Sequence, residues 1–178
     1  MAAMTTRAAV ARDAPAIARI YNEGIADRIA TFETRPRTPE DIVPWFGGRH
    51  PVVVVADGEP GRAGRVIAFA AASTYRPRDC YAGIAEFSVY VARAARGRGA
   101  GRRAMEGLIA ATEAAGFTKL VSRVFVENTA SLALLRGLGF REVGIYEKHG
   151  QLDGVWRDCV IVERLISVNL TPRVPPGR

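Results

Sequence analysis

The chain has 178 residues, 48% of them hydrophobic, and a formal net charge of +7. That length supports one domain with a sizeable core and is short for two. The longest apolar runs, Val52 to Ala56 and Val66 to Ala72, fall well below the roughly 20 residues needed to cross a bilayer, which excludes a spanning helix.

The N-terminal MAAMTTRAAVARDAP has no long apolar segment before its arginines and proline, so it does not read as a secretory signal and a cytoplasmic protein is expected. Cys80 and Cys159 make no metal-ligand set, and both are expected as reduced structural thiols, with no metal. The basic residues are dispersed except for Arg93, Arg96, Arg98, Arg102 and Arg103. One localised anion site explains that cluster better than a nucleic-acid face.

In chain order, Thr6 to Val10 reads as a short strand, and Asp13 and Pro15 offer a helix start. Ile17, Ile20, Tyr21, Gly24 and Ile25 then recur at helical spacing, with Tyr21 facing the core. A second short helix opens at Thr38-Pro39-Glu40-Asp41, where Thr38 can cap and the two acids suit the positive helix end, and it stops near Trp45, before Gly47-Gly48. Three strands follow, PVVVVAD, RVIAFAAAS and GIAEFSVYV, joined by GEPGRAGR and by a proline-containing turn over Arg76 to Asp79. Consecutive strands on short turns predict an antiparallel meander. Beyond it come a helix through Met105, Leu108, Ile109 and Thr112 closed by Gly116, and the strand KLVSRVFV. A helix from Asn128 or Thr129 then runs to the Gly139 stop, and two strands end the fold, FREVGIYEK and VWRDCVIVERL. Residues 1–170 are expected to form one domain and the proline-rich tail 171–178 to be disordered.

Between the third strand and the following helix lies RGRGAG. Its glycines at 97, 99 and 101 allow close backbone approach, and the next helix aims its free N–H groups at whatever sits there, which favours phosphate. A glycine-rich turn that binds nothing is the alternative reading. No Gly-Lys-Ser/Thr follows, so it is not a P-loop, and no acid at the end of a second parallel strand supports a dinucleotide fingerprint.

Arg96-x-x-Gly99-x-Gly101, set between strand and helix, resembles the acetyl-CoA pyrophosphate loop of the GNAT superfamily of N-acetyltransferases, and the element order from residue 5 to 166 is similar. YNEGI, ATFETRPRTPED, AEFSVYV, AAGFTKLVSRV, ENTAS and EKHG followed by W-x-D-C resemble segments of its phosphinothricin, methionine sulfoximine and arsinothricin acetyltransferase subgroup. The resemblance implies an α+β fold: a mixed, mostly antiparallel sheet of about seven strands with about four helices, its central strands splayed to admit acetyl-CoA.

It also implies residue roles. Amine acetylation needs a neutral amine, and Glu86, ten residues before the loop's first motif residue, matches the subgroup's general base; a solvent-facing glutamate is the plainer alternative. Main-chain groups of Val89, Tyr90 and Val91 would pair with the pantetheine and polarise the thioester. The loop, Arg96, Gly97, Arg98, Gly99, Ala100, Gly101 and Arg102, would hold the pyrophosphate, and Asn128 and Ser131 would meet the CoA arm, Asn128 serving also as an N-cap. Leu135 stands where many relatives carry a Tyr or His that protonates the leaving thiolate, so no general acid is assigned and water can serve.

For the substrate, Arg76 and Arg78 would hold acidic groups, with Tyr75 beside them, Phe32 closing the pocket, Ser88 on the face of Glu86 and His149 on the last hairpin. The hairpin, with Lys148 and Trp156, would also approach the partner of a homodimer. The leading expectation is therefore direct acetyl transfer from acetyl-CoA to the α-amino group of a small acidic amino-acid analogue, with no nucleic-acid or membrane partner. The alternatives are acetylation of protein N-termini or other amines, and a non-catalytic CoA-binding sensor.

Overall fold

The computed structural model describes residues 3–58 and 64–170. The turn read at GEPGRAGR lies partly, and the tail TPRVPPGR wholly, outside the described residues. Strands β1 (Met4–Ala8), β2 (Val52–Asp57), β3 (Arg65–Thr74), β4 (Ile84–Val91), β5 (Lys119–Phe125), β6 (Arg141–Leu152) and β7 (Val155–Leu165) form one sheet in the order β1-β2-β3-β4-β5-β7-β6. Four α-helices are found among the described residues: α1 (Ala14–Asp27), α2 (Pro39–Ile42), α3 (Ala100–Ala114) and α4 (Thr129–Arg136).

The first strand begins two residues earlier than its apolar pattern predicts. The cause is local: Asp13, 5% exposed, accepts the Val10 N–H at 2.9 Å and hydrogen bonds from Nη1 and Nη2 of Arg7 at 2.6 and 2.8 Å, which turns the chain out of the sheet before Val10. A buried carboxylate is tolerated here because every neighbour is a donor. The predicted second helix is four α-helical residues continued by a 3₁₀ turn over Val43–Trp45, with the Asp41 carboxylate accepting the Thr38 N–H at 2.9 Å.

Strand alternation divides the core between the two sheet faces. Phe69 pairs with Tyr90 across β3 and β4, and their rings stack at 5.4 Å with Tyr21 of α1 and Trp45 close by, so α1 and α2 cover that face. On the other face α3 packs so closely that a Cβ at Gly101 would meet Val91 at 3.2 Å, and one at Gly107 would meet Thr6 at 2.6 Å. Phe69, Phe117, Met105 and Leu108 are fully buried. Truncating a core phenylalanine to alanine costs about 3–5 kcal/mol.

The feature that positions the site is the single parallel contact. β4 pairs with β5 only over Ile84 to Glu86, against Lys119 to Val121. Beyond Glu86 the strands part, and the Ser122 hydroxyl donates to the Phe87 carbonyl at 2.9 Å in place of a ladder bond. Since the Phe87 carbonyl points toward β5, the main-chain groups of Val89 and Val91 point the same way, into the gap.

Candidate active site

Two cavities meet at this gap. The larger, about 840 Å³, lies on the α1–α2 face of the sheet and is lined by Glu86, Ser88, Phe32, His149, Arg123 and Cys159 among others. The smaller, about 460 Å³, follows the freed edge of β4 to the glycine loop and the start of α3. A void of about 50 Å³ joins them, sharing Ser88 and Ser122 with the larger cavity and Val89 and Asn128 with the smaller.

The smaller cavity gathers every residue the sequence assigns to the cofactor except Arg98. Gly97 and Gly99 adopt φ of +73° and +84°, and a Cβ at either would meet nothing within 4 Å, so the glycines are needed for backbone conformation and not for space. No side chain caps α3 at Gly99, so the N–H groups of its first turn are left free at the cavity. Asn128 caps α4, its side-chain oxygen accepting the Ser131 N–H at 3.1 Å, and lines the cavity as well. Tyr90 contributes main chain here. Its ring is buried in the aromatic cluster, and burial pushes its hydroxyl well above the usual tyrosine range, so it is no proton donor near neutral pH.

Arg96 lines this cavity and also makes contacts within the protein. Its guanidinium reaches back to Asp27 at the end of α1, at 2.6 Å, and to the Val91 carbonyl at 3.3 Å, while Arg93 binds the same carboxylate at 2.6 and 2.9 Å. Burial acts to raise the Asp27 pKa, but hydrogen bonds from Arg93 and Arg96 outweigh it and hold the carboxyl below its ordinary value. Arg96 thus ties the loop to the end of α1 while still lining the cavity, as does Arg102 at the start of α3.

In the larger cavity, Glu86 stands on β4 opposite Ser73 of β3, with Ser88 one alternation further along the same face. Phe32 is wedged edge-on against Phe125 at 4.7 Å, and a Cβ at Gly150 would come within 2.8 Å of its ring. The β6–β7 hairpin therefore closes over the α1–α2 loop only because residue 150 is glycine. His149 adds its ring to this wall, 6.4 Å from Phe32 and stacked on Tyr146 at 4.8 Å. Asn22 fixes the loop, donating to the Arg37 carbonyl at 2.9 Å and accepting the Arg37 N–H at 2.7 Å.

Tyr75, Arg76 and Arg78 do not line the cavity. β3 leaves its rim at Thr74, Tyr75 packs edge-on against Tyr81 at 5.7 Å, and Arg76 lies over the Tyr75 ring at 5.3 Å, which holds that turn off the wall. The cation brought to Glu86 is instead Arg123 on β5, whose Nη2 contacts Glu86 Oε1. Alternation in KLVSRVF signals its face, but only the β4–β5 register reveals its neighbour. Cys159 is buried in the same wall, where burial pushes its thiol up and keeps it in the unreactive protonated form; Cys80 is exposed, and neither forms a disulfide. Among the described residues no cluster of His, Cys, Asp or Glu could hold a metal, and no helix is long and apolar enough to cross a membrane.

A mixed sheet split beside a carboxylate, with a glycine loop and a bare helix N-terminus at the far mouth of the split, defines the scaffold of an acyltransferase. The chain belongs to the Acetyltransferase (GNAT) family, whose sequence profile matches residues 17–140. It is 35% identical over 174 residues to the phosphinothricin N-acetyltransferase of Alcaligenes faecalis, covering 95% of this chain and 86% of that protein. It is 32% identical to the L-methionine sulfoximine/L-methionine sulfone acetyltransferase of Pseudomonas aeruginosa, covering 90% and 91% of the two chains. The crystal structure of a GNAT superfamily phosphinothricin acetyltransferase from Sinorhizobium meliloti in complex with AcCoA superposes with a TM-score of 0.82 at 32% identity, covering 91% of this chain and 88% of that one.

Proposed function

We propose that the enzyme transfers an acetyl group from acetyl-CoA to the α-amino group of a small acidic amino-acid analogue, of the phosphinothricin, methionine sulfoximine or arsinothricin kind, with Glu86 as the general base. The observation that carries this reading is the meeting of the two cavities at the point where β4 leaves β5, beside Glu86. One cavity suits an extended anion-bearing donor and the other a compact polar acceptor.

The residues present fit the donor. Left-handed Gly97 and Gly99 and the uncapped start of α3 form a cradle for a pyrophosphate, and the freed edge of β4 offers main-chain partners to an amide-bearing arm. When bound, acetyl-CoA supplies an activated acyl carbonyl and a thiol leaving group. The Val89 and Tyr90 backbone lines the passage where that carbonyl would lie. Glu86, with 27% of its side chain exposed, takes the ammonium proton and passes it to solvent, which leaves the amine its lone pair. No side chain is assigned to protonate the thiolate, because Leu135 is buried at the junction and the Tyr90 hydroxyl is committed to the core.

Phe32 and His149 wall the acceptor site, and the exposed Arg76 and Arg78 beyond the Thr74 rim would meet the distal acidic group of a bound substrate. A homodimer is supported by the exposed apolar side chains of Val143, Ile145, Tyr146 and Trp156 on the β6–β7 hairpin, whose strand β6 is a sheet edge. Such a substrate class would make the enzyme a detoxifying one. The test is release of free CoA thiol from acetyl-CoA with phosphinothricin, methionine sulfoximine, glutamate, an alanyl peptide and no amine. Turnover with the acidic analogues supports the reading, turnover with the peptide alone refutes the substrate class, and no turnover with any amine refutes catalysis.

A further inference from the structure

We infer that Arg123 is the receptor for the substrate's α-carboxylate, and that the Glu86–Arg123 ion pair is a template that selects zwitterionic α-amino acids over simple amines. The inference deepens the proposed function and rests on Glu86 being the base.

Among the described residues the contact between Arg123 Nη2 and Glu86 Oε1 is the only hydrogen bond made by the Arg123 side chain, and both groups line the larger cavity. The guanidinium is 44% exposed on the cavity side and has donors to spare. Two other basic side chains there, Arg35 and His50, are committed or neutral. Arg35 pairs with Asp41 at 3.1 Å, and burial lowers the His50 pKa so that its ring stays neutral beside Phe117.

Glu86 Oε1 already accepts from the Arg123 guanidinium, so an incoming ammonium finds that oxygen taken. An amine alone would have to compete with Arg123 for Glu86, or displace it and leave the guanidinium without an acceptor. An α-amino acid carries ammonium and carboxylate on one carbon, so it can insert between the two side chains. Charges then alternate from Arg123 to carboxylate to ammonium to Glu86, and each ion keeps an opposite partner. The same insertion frees Glu86 from Arg123 at the moment its base function is needed. The turn carrying Arg76 and Arg78, beyond the Thr74 rim, is left for the distal acid.

The experiment compares kcat/KM for L-phosphinothricin and for its α-decarboxylated amine in the parent, Arg123→Ala and Arg123→Lys, with acetyl-CoA affinity measured on each as a check of fold. The parent should prefer the amino acid, and Arg123→Ala should lose about 10- to 150-fold on it, the worth of one charge-assisted hydrogen bond to a carboxylate. The amine should gain in the same variant, since Glu86 is no longer held, so the preference collapses from both sides. Arg123→Lys should keep part of it, lacking the bidentate fork. A preference that survives intact in Arg123→Ala overturns the inference while leaving the acetyltransferase reading standing. A parent that acetylates neither compound but does acetylate an alanyl peptide overturns the inference together with the acidic-analogue substrate class.

Discussion

Replacement of Gly99 by alanine isolates the role of the loop backbone. Gly99 sits at φ +84° and ψ 1°, and a Cβ there would meet nothing within 4 Å, so the substitution introduces backbone strain with no steric clash. An L-residue in the left-handed region costs about 1–2 kcal/mol. The loop is exposed and can escape the strain by shifting, but in doing so it gives up the geometry that aims the α3 N–H groups at the ligand. If that strain is carried wholly in the bound state, acetyl-CoA affinity falls by about 5- to 30-fold. Arg98, by contrast, is exposed and does not line the cavity, so Arg98→Ala removes only a screened charge worth about 0–1 kcal/mol, and its effect should shrink with added salt. Calorimetric titration of acetyl-CoA into both variants at two salt concentrations measures the difference. Parent-like affinity in Gly99→Ala together with a large, salt-independent loss in Arg98→Ala would refute the backbone cradle.

Glu86→Gln should keep acetyl-CoA affinity and lose about 10²- to 10⁴-fold in kcat near neutral pH, with partial recovery as the pH rises and free amine becomes available; stopped-time thiol assays across pH check it. In Gly150→Ala the new methyl would meet the Phe32 ring at 2.8 Å, so the amine KM should rise and stability should drop by about 1–3 kcal/mol, read by steady-state kinetics and urea unfolding. Arg76→Ala and Arg78→Ala should each raise KM for an acidic analogue without changing acetyl-CoA binding, which the same two assays separate. Asp13 adds a pH dependence to stability. Burial acts to raise its pKa, but the Arg7 hydrogen bonds and the Val10 N–H hold it below the ordinary carboxylate value. The folded state therefore binds this proton less readily than the unfolded chain. The contribution is complete above about pH 4 and is lost as pH falls through the lowered folded value, and Asp13→Asn should flatten that part of a melting-temperature profile.

Much of this architecture is written in local pattern. Period-2 runs such as AEFSVYV and period-3.6 runs such as Ile17-Ile20-Tyr21-Gly24 fall in the strands and helices they predict, because each element buries one stripe or face. The glycine loop was legible too, since Gly97 and Gly99 take conformations that other residues resist. Pairings across the chain were hidden. Arg123 meets Glu86 only because β5 returns through α3 to lie parallel to β4, and a sequence gives the face of each residue but not the strand beside it. Likewise Arg93 and Arg96 read as part of one basic cluster, and only the fold shows that Asp27, far back in the chain, pairs with both. The same limit applies to Asp13, which stands at the start of α1 as its sequence reads but whose carboxylate is taken by Arg7 and the Val10 N–H.

The most direct test of the central claim is mass and NMR analysis of the product formed when the purified enzyme is given acetyl-CoA and L-phosphinothricin. The account predicts one acetyl group on the α-nitrogen, formed in step with free CoA by the parent and at a rate lowered about 10²- to 10⁴-fold by Glu86→Gln. An unmodified amino acid, or parent-like acetylation by Glu86→Gln near neutral pH, would contradict it.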